Sequence, residues 1–203
     1  GERPLDPATR EALIAAYGMD QPLPIQFIRY LGNLAHGDFG PSLVYRDFTV
    51  TQLVAKGLPV SLTLGALALL LALALGIGTG LMAALKPGGR ADRAIGLCAT
   101  LLTVLPSFVT APALVLLFAL GLGWLPVSGW GDGAARNLVL PVIALALPAT
   151  GAIAKLTRAG LTDVMAQDHV RAARARGLSP LRTLIRHALR PALVPVASYV
   201  GPT

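Results

Sequence analysis

Three long windows without a charged side chain constrain this fold more than any other feature of the sequence. Residues 57–85, 94–120 and 137–154 contain no Asp, Glu, Lys or Arg. A helix needs about 20 apolar residues to cross the hydrocarbon core of a bilayer, which is roughly 30 Å thick. The windows hold 29, 27 and 18 residues, so each is long enough for one crossing. They predict an all-α, polytopic membrane protein with three complete spans.

Composition excludes the main alternatives to a membrane protein. Charged residues make up 13% of the chain and hydrophobic residues 54%, whereas a soluble domain carries roughly 25% charged residues. A disordered chain would need low hydrophobicity and high charge, and a soluble fold of this size could not bury so much apolar surface. The single cysteine, Cys98, excludes a disulfide framework, and His36, His169 and His187 are not spaced like metal ligands. We expect no metal, no cofactor and no nucleic acid partner.

Glycines and prolines within the windows predict how the spans are built. Gly76, Gly78 and Gly80, near the end of the first span, would let a neighbouring backbone approach closely. Prolines interrupt the other two spans, and each frees a backbone carbonyl that must find another partner in lipid. Simple kinks would explain any one proline, whereas four together favour a pathway through the bundle. The predicted kink or pathway positions are Pro106, Ser107, Pro112, Pro141 and Pro148.

Basic residues are distributed unevenly among the loops, which predicts the orientation of the chain. Residues 86–93 hold three basic residues against one acidic residue, and residues 155–190 hold eight against two. Residues 1–56 hold five basic residues against six acidic ones, and residues 121–136 hold one of each. Under the positive-inside rule, the two basic segments are cytoplasmic and residues 1–56 are extracytoplasmic.

The extracytoplasmic segment, residues 1–56, is predicted to contain short helices. One starts at Asp6–Pro7, a second begins near Pro24 and ends by Gly37, and a third leads into the membrane. These amphipathic pieces could cap the bundle, lie on the membrane surface or receive an external partner. No signal peptide or earlier span precedes the segment, and the last apolar stretch, residues 191–203, has only 13 residues. We therefore expect a fragment of a longer protein that begins a fourth crossing.

Residues 155–190 are too numerous for a simple connection between spans, and they contain two helical patterns. Asp168 can cap a short helix over residues 170–176, which Gly177 ends. Small alanines alternate with arginines along this helix. It could therefore seat deeply in a partner's groove while the arginines fix its register. Ser179–Pro180 then starts a second helix.

The second helix is predicted to have an apolar side and a basic side. The apolar side would hold Leu181, Leu184, Ile185 and Leu189. The basic side would hold Arg182, Arg186 and Arg190, which recur at every fourth position. Contact with anionic lipid headgroups explains these arginines as well as contact with a protein partner does.

The first of these helices carries a family resemblance. Its run comprises Gln167, Asp168, His169, Val170, Arg171, Ala172, Ala173, Arg174, Ala175, Arg176, Gly177 and Leu178. The run resembles the cytoplasmic EAA loop of bacterial ABC-importer permeases and, more narrowly, the first membrane subunit of peptide/nickel importers. Further stretches are similar to the same family in the same order, at residues 17–23, 37–42, 57–62, 104–108 and 123–130.

The resemblance implies a type I ABC-importer transmembrane domain of about six spans in the bacterial inner membrane, of which this chain holds a part. It implies a second homologous permease subunit, two ATP-binding subunits that dock on residues 167–178, and an extracytoplasmic substrate-binding protein. The cargo would be di- or oligopeptides or, less commonly, nickel chelates or other small solutes. Arg171 replaces the glutamate of the general motif, as is usual in the peptide/nickel branch, and His169 stands where that branch commonly has tyrosine.

Two other functions compete with transport as explanations of this sequence. A Walker A loop requires Gly-Lys-Ser/Thr, and no glycine precedes Lys56, Lys86 or Lys155, so ATP hydrolysis would need a separate partner. An intramembrane enzyme would need charged residues or histidines at membrane depth, and the three windows hold no Asp, Glu, Lys, Arg or His, so we predict no catalytic residue. The alternative to transport is a membrane anchor or scaffold whose basic loop binds anionic lipid or a partner.

Overall fold

The structure, a computed structural model, describes residues 11, 14, 18, 20–42, 44, 45 and 48–201. Within these residues the regular elements are helices, together with one isolated β-bridge between Pro41 and Thr49. The all-α prediction is confirmed. The predicted helix start at Asp6–Pro7 lies outside the described residues.

Most helices are joined by short connections, and the two longer ones are residues 36–49 and 122–134. In chain order they are α1 (Leu23–Ala35), α2 (Val50–Leu85), α3 (Arg90–Val104), α4 (Ser107–Leu114), α5 (Ala135–Met165), α6 (Asp168–Ala175), α7 (Pro180–Thr183), α8 (Leu189–Ala192) and α9 (Val194–Val200). A π-helical segment, Val115–Gly121, extends α4, and a second one, Leu184–Ala188, joins α7 to α8. The chain divides into two compact units, residues 1–62 and 63–203.

The first unit contains α1, the loop after it and the beginning of α2. Pro22 precedes α1, and Gly37, at a φ of +77°, follows its last turn, as predicted for the second external helix. Thr51 in the first turn of α2 ties the loop back. Its hydroxyl donates to the carbonyl of Gly37 at 3.0 Å and accepts from the amide of Phe39 at 3.1 Å. The described side chains of α1 all remain at least partly exposed.

Two helices, α2 and α5, are long and apolar enough to cross a membrane. The helix α3 and the extended α4 pass the same test only as a pair, which is bent by 102°. The break lies at Leu105, whose ψ is 119°, because the following Pro106 disfavours a helical conformation at that residue. The polytopic prediction is confirmed, and the predicted span over residues 94–120 is a bent pair instead of a straight helix.

The interior of the second unit is built from small residues, while many large apolar residues face outward. The helix α2 buries Ala68, Ala72, Gly76, Gly80 and Ala83, whereas Leu70 on the same helix is 64% exposed. Lipid tails are as apolar as leucine, so they exert no hydrophobic force that drives leucine inward. Helices in lipid instead associate through small residues that let backbones approach. This burial pattern is what a membrane-embedded bundle requires.

The helix α5 packs against α2 through two glycines. A Cβ atom added to Gly76 would lie 2.7 Å from Cγ2 of Ile153, and one added to Gly80 would lie 2.6 Å from the carbonyl oxygen of Ala154. Only a residue without a side chain fits at either place. The prediction of close approach is therefore confirmed for Gly76 and Gly80. It is wrong for Gly78, which has nothing within 4 Å of such an atom.

Two more glycines bring α5 against other helices. A Cβ atom on Gly151 would lie 2.5 Å from the carbonyl oxygen of Ala99 in α3. A Cβ atom on Gly160 would lie even closer to the carbonyl oxygen of Ala192 in α8. The helix α5 is thus the central element of this unit, since it contacts α2, α3 and α8 through residues that leave room for the backbone.

Candidate functional site

The short helix α6 begins immediately after the end of α5. The carbonyl of Gln167 accepts hydrogen bonds from the amides of Val170 and Arg171, both at 3.1 Å, which places Gln167 at the N-cap. Asp168 is the first helical residue, and its side chain is fully exposed. The prediction of Asp168 as the capping residue is therefore wrong by one position. Its carboxylate still lies in the first turn, where a negative charge stabilises a helix.

One face of α6 is anchored to the bundle. Val170 is fully buried and Ala173 is 6% exposed, and their spacing of three residues places both on the same side of the helix. Val170 belongs to a buried cluster that joins the end of α5 to α8. The other buried members of this cluster are Leu161, Val164, Ala188 and Ala192. A displacement of α6 would therefore be felt directly by α5 and α8.

The rest of the predicted coupling run faces outward. Its exposed members are Gln167, Asp168, His169, Arg171, Ala175, Arg176 and Gly177, with Ala172 and Leu178 partly buried. The side chain of Arg171 is 71% exposed, and its guanidinium lies 3.9 Å from the carboxylate of Asp168. The placement of the Arg174 side chain lies outside what the structure describes. The outward face combines small and basic residues, so it can fit a groove that carries acidic or carbonyl groups.

Gly177 ends α6, as predicted. Its φ is +83°, a left-handed conformation that favours glycine, and the next amide, of Leu178, bonds back to the carbonyl of Ala173 at 3.4 Å. A Cβ atom at Gly177 would meet nothing within 4 Å. The backbone conformation, and not a lack of space, therefore requires glycine here.

The second predicted helix starts where expected but departs from the predicted faces. The carbonyl of Ser179 accepts from the amide and from the hydroxyl of Thr183, at 2.9 and 3.0 Å, so α7 starts at Pro180. After α7, the π-helical turn holds more residues than an α-helical one and rotates the side chains that follow. Ile185 is 58% exposed. It lines a groove together with Ser179, Arg182, Arg186 and Arg190. The prediction that Ile185 lies apart from the arginines is wrong.

An ion pair between a buried carboxylate and a partly exposed guanidinium joins α3 to α5. The carboxylate of Asp92, which is 4% exposed, accepts from Nε and Nη2 of Arg158, the latter at 2.7 Å, and from the amide of Gly88 at 2.8 Å. The guanidinium of Arg93 donates to the carbonyl of Gly88 at 3.0 Å and braces the turn. Sequence reasoning missed this pair. The only signal was a pair of opposite charges close to the ends of two apolar windows.

The predicted pathway positions are distributed over the bent pair and α5. Pro106 is the N-cap of α4, directly at the bend, and Ser107 is the first residue of that helix. Pro112 lies inside α4, shortly before the π-helical segment. Pro141 and Pro148 lie inside α5, which continues through both. The chain is therefore broken at Pro106 alone among these prolines.

Comparisons with known proteins agree with this architecture. The family described as "Binding-protein-dependent transport system inner membrane component" matches residues 76–203. The oligopeptide transport system permease protein OppB of Salmonella typhimurium is 47% identical over 202 residues, which cover 100% of this chain and 66% of that protein. The dipeptide transport system permease protein DppB of Bacillus subtilis is 38% identical, over 98% of this chain and 64% of that protein. The di/tripeptide transport system permease protein DppB of Pseudomonas aeruginosa is 35% identical, over 99% of this chain and 67% of that protein.

The chain spans about two thirds of the length of these relatives. The family match begins in the last third of α2 and includes α3 to α9, and with them the bent pair, the ion pair and the whole run 167–178. It confirms the predicted family and the predicted location in the bacterial inner membrane, and it identifies a transport component instead of an enzyme. This chain belongs to the family of binding-protein-dependent transport system inner membrane components.

Proposed function

We propose that this chain is part of a permease subunit that imports di- or oligopeptides through the bacterial inner membrane. The relatives that cover the whole chain are named as oligopeptide, dipeptide and di/tripeptide permeases, which favours peptides over nickel chelates or other small solutes. The membrane spans with their bent pair supply the structural elements of a pathway.

The proposed transporter has further subunits. A second homologous permease completes the pathway, two ATP-binding subunits supply energy, and an extracytoplasmic binding protein delivers the cargo. In this arrangement residues 1–56 face the binding protein, whereas residues 86–93 and 155–190 face the cytoplasm. The excess of basic residues in those two segments supports this orientation.

The observation that carries the proposal is the two-sided character of α6. Val170 and Ala173 fasten it to the bundle, while Arg171 and Ala175 are exposed to a partner. A helix used only to contact lipid headgroups would not need a buried face tied to two other helices. We infer that residues 167–178 dock on an ATP-binding subunit and move with it.

Transport then proceeds as an alternation between discrete packings. Closure of the ATP-binding subunits displaces α6, and the cluster around Val170 passes the displacement to α5 and α8. The cavity switches from outward-open to inward-open by rigid-body movement, because packed helices are bistable and not continuously deformable. The pathway passes the bend at Pro106–Ser107, with Pro112, Pro141 and Pro148 nearby along the helices that line it.

Reconstitution of the complete transporter tests this function. Proteoliposomes that contain both permeases, the ATP-binding subunits and the binding protein should accumulate a labelled tripeptide only when ATP is supplied. Vesicles that bind the complex through anionic lipid, yet accumulate neither peptides nor nickel chelates, would contradict the proposal and favour a membrane scaffold.

Replacement of Gly177 tests the role of α6. Gly177→Val should uncouple ATP hydrolysis from uptake, because a β-branched residue is strained at a φ of +83° and would reorient the end of α6. Gly177→Asn is the matched control, since asparagine tolerates this conformation, and it should retain most uptake. The ratio of peptide imported to ATP hydrolysed is the measurement. Normal coupling in Gly177→Val would refute the lever role.

A further inference from the structure

Lys155 places a positive charge in an unusual direction. It follows the charge-free window 137–154 within α5, and its Nζ donates a hydrogen bond to Oγ1 of Thr103 in α3 at 3.0 Å. Thr103 lies eleven residues beyond Asp92 on α3, which is about 16 Å of helix. The ammonium group therefore points away from the Asp92–Arg158 pair and into the apolar part of the bundle.

Physical chemistry predicts the opposite direction for such a lysine. Near the end of a span, the long side chain normally extends to the interface and keeps its charge in water. Charged groups that stay inside are costly, and they occur where they meet a partner or line a pathway for a substrate. Lys155 instead points inward, as the tilt of helical side chains toward the N-terminus allows, and there its ammonium group needs compensation for lost hydration.

The described residues supply only part of that compensation. Their ion pairs join Arg158 to Asp92 and Arg171 to Asp168, so Lys155 is not included. The Thr103 hydroxyl is neutral, and its own proton goes back to a carbonyl of α3, either that of Ala99 or that of Thr100. An ammonium group has three donors. Lys155 is partly exposed, so a second, anionic group can reach it.

The surroundings of this ammonium group lie in the region that the proposed function assigns to the pathway. Thr103 lies two residues before Leu105, where the bent pair breaks. The last carbonyls of α3 lose their helical partners at such a break, and the negative end of the helix dipole favours a cation there. Irregular backbone at membrane depth is tolerated where it lines a cavity. The break at Leu105 and the ammonium group of Lys155 beside Thr103 thus form one polar site, which we call the polar spot.

We propose that Lys155, oriented by Thr103, binds the carboxylate of the peptide cargo as it passes the bend. The inference rests on the proposed peptide transport and names one contact within it. A linear peptide with a free carboxyl terminus brings one anion that can accept a charge-assisted hydrogen bond. A single, partly exposed ammonium group suits a transient site, because a pathway must release what it binds.

The test compares two forms of one cargo in the complete, reconstituted transporter. The first is a tripeptide with a free carboxyl terminus and the second is its carboxyl-terminal amide, each delivered by the unaltered binding protein. Lys155→Met should lower the uptake rate of the free acid about tenfold, the size expected for loss of a charged hydrogen bond. Uptake of the amide should stay as in the unaltered transporter, and Lys155→Arg should restore most uptake of the acid.

Lys86→Met is the matched control, because it removes an exposed lysine outside the polar spot and should leave both rates unchanged. Equal uptake of the acid by Lys155→Met and the unaltered transporter would overturn the inference. So would an equal loss of acid and amide, or no recovery in Lys155→Arg, since either indicates a purely structural role. An unaltered transporter that carries no peptide at all would instead overturn the proposed function, and the inference with it.

Discussion

The two faces of α5 are packed by different physical means. Against α2, the contact is made by glycines, with Gly76 and Gly80 fitted to Ile153 and Ala154. Against α3, close approach at Gly151 is combined with directional polar contacts. These contacts are Arg158 to Asp92 and Lys155 to Thr103. Shape complementarity fixes the first face in one arrangement, whereas hydrogen bonds and an ion pair can be exchanged for other partners. The α3 face is therefore held by close packing and by polar contacts together.

The largest effect is expected on the face fixed by shape. Gly80→Leu would force side-chain atoms into the carbonyl oxygen of Ala154, 2.6 Å from the position of the new Cβ. Overpacking against backbone should lower the free energy of unfolding by about 3 kcal/mol. Gly78→Leu, two residues away on the same helix, should change it little, because nothing lies within 4 Å. Thermal unfolding of the intact subunit in detergent measures both, and equal melting temperatures would contradict glycine packing at this face.

A smaller effect is expected on the polar face. Asp92→Asn and Arg158→Gln should each lower the melting temperature, since each leaves a partly buried charge without its partner. The double variant should lose less stability than the two single variants added together, and the difference measures the coupling energy between the two residues. The exposed pair Asp168–Arg171, at 3.9 Å, is the control and should show no measurable coupling. Additive losses at Asp92 and Arg158 would show that the two groups do not interact.

The smallest effect is expected in the groove formed by the π-helical turn. Ile185→Ser should change the free energy of unfolding by less than about 0.5 kcal/mol, as exposed substitutions usually do, because Ile185 is 58% exposed. Ala188→Leu, at a fully buried position three residues on, should destabilise the subunit clearly. The same unfolding assay distinguishes the two. A strong loss in Ile185→Ser would mean that this side chain is buried and that the predicted α-helical faces are correct.

The sequence predicted the features that depend on local residue type. It did not predict the contacts that join residues far apart in the chain. Charge-free windows located the spans, because the lipid thickness sets a minimum apolar length. They could not give the bend angle at Pro106, since a proline specifies a break and not the direction that follows. The helices also extend beyond the windows. The α2 helix starts at Val50, so the external helix predicted for about residues 49–56 is continuous with the first span, and α5 ends at Met165, after residue 154. Backbone hydrogen bonds therefore continue each helix beyond the residues that are apolar enough to lie in lipid.

The candidate site was predicted in the same uneven way. Gly177 and Ser179–Pro180 were located correctly because end signals of helices are local. The position of Ile185 was wrong because the spacing of the arginines assumes 3.6 residues per turn, and no residue signals the π-helical turn. The pair Asp92–Arg158 was missed because its two members are 66 residues apart. Two opposite charges that far apart in the chain cannot be recognised as partners from one sequence alone.

The length of α5 has a consequence for how soluble proteins can reach this chain. Its 31 residues extend for about 46 Å, against a hydrocarbon layer of about 30 Å. The difference, about 16 Å, exceeds the roughly 10–15 Å that the two polar headgroup layers occupy together. A helix of this length that is centred on the bilayer reaches the water-facing limit of both layers, and α6 follows the end of α5 after two residues. A water-soluble protein can dock there without entering the bilayer and without displacing a single acyl chain.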